Sequence, residues 1–288
     1  MNMARRGFVM TVAGGLAAPL AGKALAAEKE EPRIRLSACD WSLRAGGPGG
    51  LDVAKACGLD GLEVAVGGAA DKLNLAKPEV QQQYKDKMKE TGVVISSTAM
   101  TLGNSNPLAT EANAVSWMTQ TVEATKALGA RPILLAFFGK GDLRRGKDLK
   151  TDEVDNLVAR LKEAAPKAKE AGVVLGLENT LSAKQNLAII ERVGSDAVAV
   201  YYDCFNSQGN GYDVCAEIRD LKGRVCCFHF KNGGDYLETG RVKWEPIRDA
   251  MNDIGYKRWI VLETSCPSKD RDADFKKNAA YVRKLFSL

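Results

Sequence analysis

From residue 33 onward the chain alternates short, almost continuously apolar runs with longer stretches whose apolar residues recur at helical spacing. The short runs cover 34–40, 61–66, 93–100, 132–139, 173–179, 197–203, 224–231 and 259–263, and runs of this length bounded by turn residues read as strands. The stretches between them predict helices over roughly 49–57, 77–91, 111–128, 151–171, 183–193, 212–221, 246–254 and 274–286. Six of these patterns stop at a glycine (Gly58, Gly92, Gly129, Gly172, Gly194, Gly255), the residue that a left-handed helix C-cap favours. Strict alternation of strand and helix implies parallel strands joined by helical crossovers. Eight such units in the 262 residues after Ala26, about 33 residues each, predict an α/β fold: a (β/α)8 TIM barrel in a single domain. The competing open, doubly wound sheet needs a GxGxxG turn after its first strand. Gly46-Gly47-Pro48-Gly49-Gly50 lacks that spacing and contains a proline, so it reads as a loop at the barrel mouth.

The first 26 residues break the pattern. Arg5-Arg6-Gly7-Phe8-Val9-Met10 is followed by an apolar, Gly- and Ala-rich stretch to Leu20, then by Ala24-Leu25-Ala26. This is the order of a twin-arginine signal peptide: charged region, apolar region, small-residue cleavage site. The apolar stretch is shorter than the roughly 20 residues that span a bilayer. The expectation is a periplasmic or otherwise extracytoplasmic protein with signal 1–26, a polar lead-in at 27–32 and the barrel at 33–288. A tail with a chance arginine pair is the plainer alternative.

Composition then narrows the function. With 45% hydrophobic and 27% charged residues among 288, the chain is not collagen-like, coiled-coil or disordered. Of the net +5, three positive charges (Arg5, Arg6, Lys23) lie in the signal segment, and the remaining +2 gives no support for nucleic acid or an anionic membrane as partner. The seven cysteines are odd in number and form no CxxC, which disfavours a structural zinc site and favours buried free thiols.

Four polar residues close the last four apolar runs: Glu178, Asp203, His229 and Glu263, separated by 25, 26 and 34 residues. One strand–helix unit lies between neighbours, so all four should converge at the C-terminal face of the barrel, where such folds keep their active sites. Burying three carboxylates together is costly through both desolvation and mutual repulsion, and a divalent cation removes both penalties. Three oxygen donors with one imidazole suit Mn²⁺, Mg²⁺ or Co²⁺. His229 is the only histidine; alone it would read as a core residue, but its match to three acids on other strands reverses that. The alternative for Glu178 and Glu263 is ion pairing at the rim. Lys231, two residues beyond His229, shares its side of the strand and either stabilises a developing oxyanion or pairs with a ligand carboxylate. Trp41 is a candidate for stacking on a sugar face, and Glu63 for facing the mouth and binding a hydroxyl. Asn179, Asn206 and Arg241 are weaker substrate-contact candidates, while Trp244 reads as core.

With these motifs, the Leu177-Glu178-Asn179, Asp203, His229-Phe230-Lys231 and Leu262-Glu263 strand ends, the chain resembles the xylose-isomerase-like barrel superfamily, in particular its sugar isomerases and epimerases of the ketose 3-epimerase type. The resemblance spans 33–288. It implies Glu178, Asp203, His229 and Glu263 as metal ligands, with Glu178 and Glu263 also moving the substrate proton through an enediolate. It implies a small sugar or keto-sugar as partner and relatives that form dimers or tetramers. Two positions depart from the pattern: Asn206 stands where a histidine often follows the Asp ligand, and Asp235 where an arginine often follows the His ligand. A keto-sugar lyase or hydratase working through the same enediolate is the runner-up, and a non-catalytic sugar-binding relative comes third. The endonuclease IV group, with its histidine-rich zinc cluster, is excluded by the single histidine.

Overall fold

Strands form where the apolar runs lie because a chain segment buried on both faces has no use for polar alternation. In the computed structural model, which describes Met1 and residues 33–288, they are β1 Arg35–Cys39, β2 Gly61–Ala65, β3 Val94–Met100, β4 Pro132–Ala136, β5 Val174–Glu178, β6 Val198–Asp203, β7 Val225–Phe230 and β8 Trp259–Leu262. Each strand pairs in parallel with the next, and β8 closes onto β1, so the barrel has no free edge. The helices that follow the strands are α1 Gly50–Ala56, α2 Pro78–Thr91, α3 Ala114–Ala127, α4 Thr151–Ala171, α5 Ala183–Val193, α6 Val214–Leu221, α7 Trp244–Asp253 and, after the last strand, α8 Arg271–Phe286. The fold is therefore the expected single-domain (β/α)8 barrel. The signal-peptide and lead-in readings fall on residues outside the described ones.

All six expected glycines adopt positive φ; Gly92 and Gly172, at φ 78° and 70°, directly cap α2 and α4. Several short elements escaped the hydrophobic pattern, two of them near the barrel mouth. A helix at Cys204–Gly209 is started by Asp203, whose side chain accepts the Asn206 N–H. A two-residue hairpin, Arg144–Arg145 with Asp148–Leu149, sits in the β4–α4 connection. Both are set by local capping and turn chemistry, which leaves no apolar period to read.

The core has two parts. Between barrel and helices lies the large layer, including Leu36, Leu62, Leu135, Leu177, Phe228 and Trp244, the last as expected. Inside the barrel is a smaller set dominated by compact side chains: Cys39, Ala99, Leu134, Ala136, Ala199, Cys226, Cys227 and Val261, with Tyr201 the one large residue among them. All seven cysteines are unpaired thiols, and five of them are buried. Among the described residues no helix is long and apolar enough to cross a membrane.

Candidate active site

The parallel topology turns four distant sequence positions into one cluster. Glu178 ends β5, Asp203 ends β6, His229 lies near the end of β7, and Glu263 follows β8. Asp203 is in register with His229, and His229 with Val261, two residues before Glu263. One donor atom from each of the four lies within 4.8 Å of the others. His229 Nδ1 is 3.0 Å from Glu178 Oε1 and 3.2 Å from Glu263 Oε2. Lys231 Nζ is 2.8 Å from both Asp203 Oδ2 and Glu263 Oε2. Of the two readings left open for Lys231, pairing with carboxylates is the one observed.

The donor set fits a divalent cation. Asp203 Oδ1 accepts the Asn206 N–H at 2.7 Å, which fixes the carboxylate and leaves Oδ2 turned toward the cluster. That oxygen is buried and has no aligned hydrogen-bond donor; Lys231 supplies it with charge but not with direction. The electrostatics are those of a crowded anionic site. Burial pushes the Glu178 carboxyl up to about 7, against the pull of His229. Burial also acts on Glu263, but the charges of His229 and Lys231 outweigh it and hold that carboxyl below the usual range. For His229 burial opposes the charged ring, yet the surrounding Glu178, Glu63 and Glu263 prevail and raise it well above an ordinary imidazole.

Glu63 corrects the sequence reading. It does not face the mouth. It is fully buried in β2, between Cys39 of β1 and Ser97 of β3 in the barrel register. One carboxylate oxygen lies 2.9 Å from His229 Nε2, and the other accepts the hydroxyls of Ser97 and Tyr201. A carboxylate on Nε2 leaves Nδ1 as the nitrogen presented to the cluster and fixes the ring, an arrangement typical of metal-ligating histidines. Ser97 and Tyr201 therefore belong to the site's support, and sequence reading missed both. Their signal was present as polar side chains inside otherwise apolar strands. Register shifts at Leu62/Glu63 and Val200/Tyr201 bring these two groups in under the ring.

Above the cluster opens a cavity of about 440 Å³ lined by Trp41, Ala65, Thr101, Asn104, Leu134, Ala136, Phe138, Glu178, Asn206, Lys231 and Glu263. Trp41 Nε1 donates to Glu263 Oε1 at 3.2 Å. Thr101, Asn104 and Phe138 were not anticipated. They lie just past β3 and β4, whose ends carry no charged residue to draw attention. Two expected contacts are engaged elsewhere. Asn179 accepts the Leu181 N–H and donates to Asn186, which shapes the loop before α5. The Arg241 guanidinium lies over the Phe205 ring, 4.3 Å from its centre. Neither side chain lines the cavity.

The fold agrees with what comparison with known proteins shows: the chain belongs to the Xylose isomerase-like TIM barrel family, whose profile matches residues 51–285. Among curated proteins it is 31% identical over 193 residues to the L-ribulose 3-epimerase of Mesorhizobium japonicum (strain LMG 29417 / CECT 9101 / MAFF 303099), covering 62% of this chain and 63% of that protein. It is 26% identical over 189 residues to the 2-epi-5-epi-valiolone 7-phosphate 2-epimerase of Actinoplanes sp. (strain ATCC 31044 / CBS 674.73 / SE50/110), covering 65% of this chain and 68% of that one. The match thus spans a little under two thirds of the first relative's length. A solved L-ribulose 3-epimerase superposes with a TM-score of 0.71 at 22% identity, over 88% of this chain and 95% of that one.

Proposed function

We propose that this protein is a metal-dependent carbohydrate epimerase or isomerase that acts on an unphosphorylated ketose or keto-sugar through an enediolate. One observation carries the reading: donor atoms of Glu178, Asp203, His229 and Glu263 gather within 4.8 Å, and Glu178 and Glu263 among them line a sugar-sized cavity. These four residues would hold Mn²⁺, Mg²⁺ or Co²⁺, which when bound supplies Lewis acidity toward a carbonyl and its neighbouring hydroxyl. The remaining chemistry belongs to the chain. Glu178 ends β5 and Glu263 directly follows β8, three strands apart around the ring, and both reach the cavity. One carboxylate takes the proton from the carbon beside the carbonyl, and the C–H electron pair moves into the enediolate. The other, protonated, returns a proton to the opposite face and inverts the carbon. Return to the neighbouring carbon gives isomerisation instead. Trp41 steadies the Glu263 carboxylate through its indole N–H, and Asn206, Asn104 and Thr101 offer hydrogen bonds to substrate hydroxyls.

The preference for an uncharged sugar rests on Lys231. It is the one cation lining the cavity among the described residues, and it is already committed to Asp203 and Glu263. None of the relatives named above is a lyase, so elimination has only the shared enediolate in its favour. The test is incubation of the Mn²⁺-loaded protein with L-ribulose and other ketoses in D₂O. Deuterium at the inverted carbon, with no loss of water, supports epimerisation. Absence of exchange with every ketose, despite full metal occupancy by elemental analysis, refutes it. The same proposal puts the protein outside the cytoplasm. Cell fractionation should find it in the periplasm, and Arg5→Lys with Arg6→Lys should retain it in the cytoplasm.

A further inference from the structure

The opposite end of the barrel holds a second cavity, of about 300 Å³, and its chemistry is the reverse of the first. It opens where the strands begin. Six cations line it: Arg33, Arg35, Arg131, Arg224, Lys257 and Arg258. Each stands at, or one to two residues before, the first residue of a strand, and the parallel topology therefore sets them all on one rim. The floor is apolar, made by Trp259 with Pro132, Ala199 and Cys226. The lining's one acid, Asp196, is paired with Lys169 at 3.0 Å.

What the cations do not do is informative. Arg35 lies over the Trp259 ring, 4.3 Å from its centre, and reaches the Asp60 carbonyl at 3.4 Å. Arg258 donates to the Val225 carbonyl at 2.6 Å. The side chains of Arg33, Arg131, Arg224 and Lys257 make no hydrogen bond or ion pair with any described residue. Several arginines elsewhere in the fold are ion-paired, as Arg192 is with Asp155, Arg219 with Asp253 and Arg283 with Asp60. Beyond residue 26 the chain's net charge is only +2, yet four cations without a counterion share the lining of one concavity. Six like charges around a pocket of this size repel one another within a Debye length, and a multivalent anion relieves that repulsion. Arginine predominates, and its planar fork matches phosphate and carboxylate oxygens.

We propose that the strand-start end of this barrel binds a small-molecule oxyanion bearing two or more negative charges, phosphate or carboxylate, with its uncharged part resting on the Trp259 floor. The site is separate from the mouth cavity and does not depend on the epimerase reading. The test is isothermal titration of the full chain with inorganic pyrophosphate, and in parallel with citrate, at low ionic strength. Saturable one-to-one binding of either probe is expected, weakened at least tenfold in Arg131→Glu/Arg224→Glu. Neither side chain is hydrogen-bonded or ion-paired to a described residue, so that variant should keep the melting temperature and sugar turnover of the parent. Lys85→Glu/Lys89→Glu, an equal charge change on exposed positions of α2, should bind as the parent does. Three results would overturn the proposal: no saturable heat with either probe, equal loss in the α2 control, or binding that emerges only in Glu28→Gln/Glu30→Gln/Glu31→Gln. The last would assign the basic rim to the chain's own acidic lead-in.

Discussion

The two ends of this barrel are made from the same eight strands and carry opposite chemistry. At the C-terminal end the charged groups are buried and face one another: Glu178, Asp203 and His229 are 5%, 4% and 0% exposed, and Lys231 bridges two of the carboxylates. At the N-terminal end the charges stand on an exposed rim around an apolar floor, and most of them have no partner. Parallel topology explains both, because it brings every strand start to one side and every strand end to the other. Burial explains the difference. Charges taken out of water must be neutralised within the fold, so the mouth is a closed network of reciprocal contacts. Charges left in water are under no such demand and remain available to a ligand.

The largest effect should come from breaking the mouth network at its chemical step. Glu178→Gln and Glu263→Gln should each lower turnover by about 10³-fold, the scale of losing a positioned general acid or base, while the barrel stays folded by circular dichroism. Full activity in either variant would remove that residue from the mechanism. Next come the changes that act on the cluster through His229. His229→Ala should abolish tight metal binding. Glu63→Gln, which leaves a weaker partner on Nε2, should weaken metal affinity about 10- to 100-fold as read by competition with a chelator. An unchanged affinity would reduce Glu63 to a packing residue.

A smaller effect should separate the two ends by stability alone. A Cβ on Gly61 would stand 2.8–2.9 Å from ring atoms of Trp259, in the wall of the lower cavity. Gly61→Ala should therefore cost about 1–3 kcal/mol of stability by denaturant melts, with metal stoichiometry unchanged. Loss of metal as well would show that the two ends are mechanically coupled. The smallest effect concerns Asp40, at the end of β1, which accepts the Ala65 N–H at 3.1 Å. Burial raises its carboxyl from an ordinary 3.8 to about 6. The folded protein then holds a proton that the unfolded chain has released, so this residue lowers stability as pH rises from about 4 to about 6. In Asp40→Asn that part of the pH dependence should disappear from denaturation curves across the window. An identical slope in both proteins would place the titration elsewhere.

Particular residues show where sequence reading stops. Glu178, Asp203, His229 and Glu263 were legible because each is a polar group closing an apolar run, and equal spacing in units of one strand and one helix brings such positions together. Glu63 carried the same chemistry but not the same place. It lies within its strand, and its depth depends on register and on a one-residue shift that hydrophobic pattern does not encode. Asn179 was legible as polar and near the site, yet local hydrogen bonds with the Leu181 N–H and the Asn186 side chain engage it elsewhere. The basic rim went unnoticed for a further reason. Its six residues are scattered between 33 and 258, and basic residues beside strands are common enough to carry no signal singly.

The order of apolar runs and helical periods determined by itself that strands and helices alternate eight times, and with that the barrel and the side on which the four candidate ligands meet. These properties depend on period and spacing, which are local and additive along the chain. Tertiary structure alone decided which nitrogen of His229 faces the cluster, which carboxylate supports it from behind, and that six separate cations share one concavity. Those outcomes depend on distances between residues more than a hundred positions apart, and closure of the barrel is what sets them.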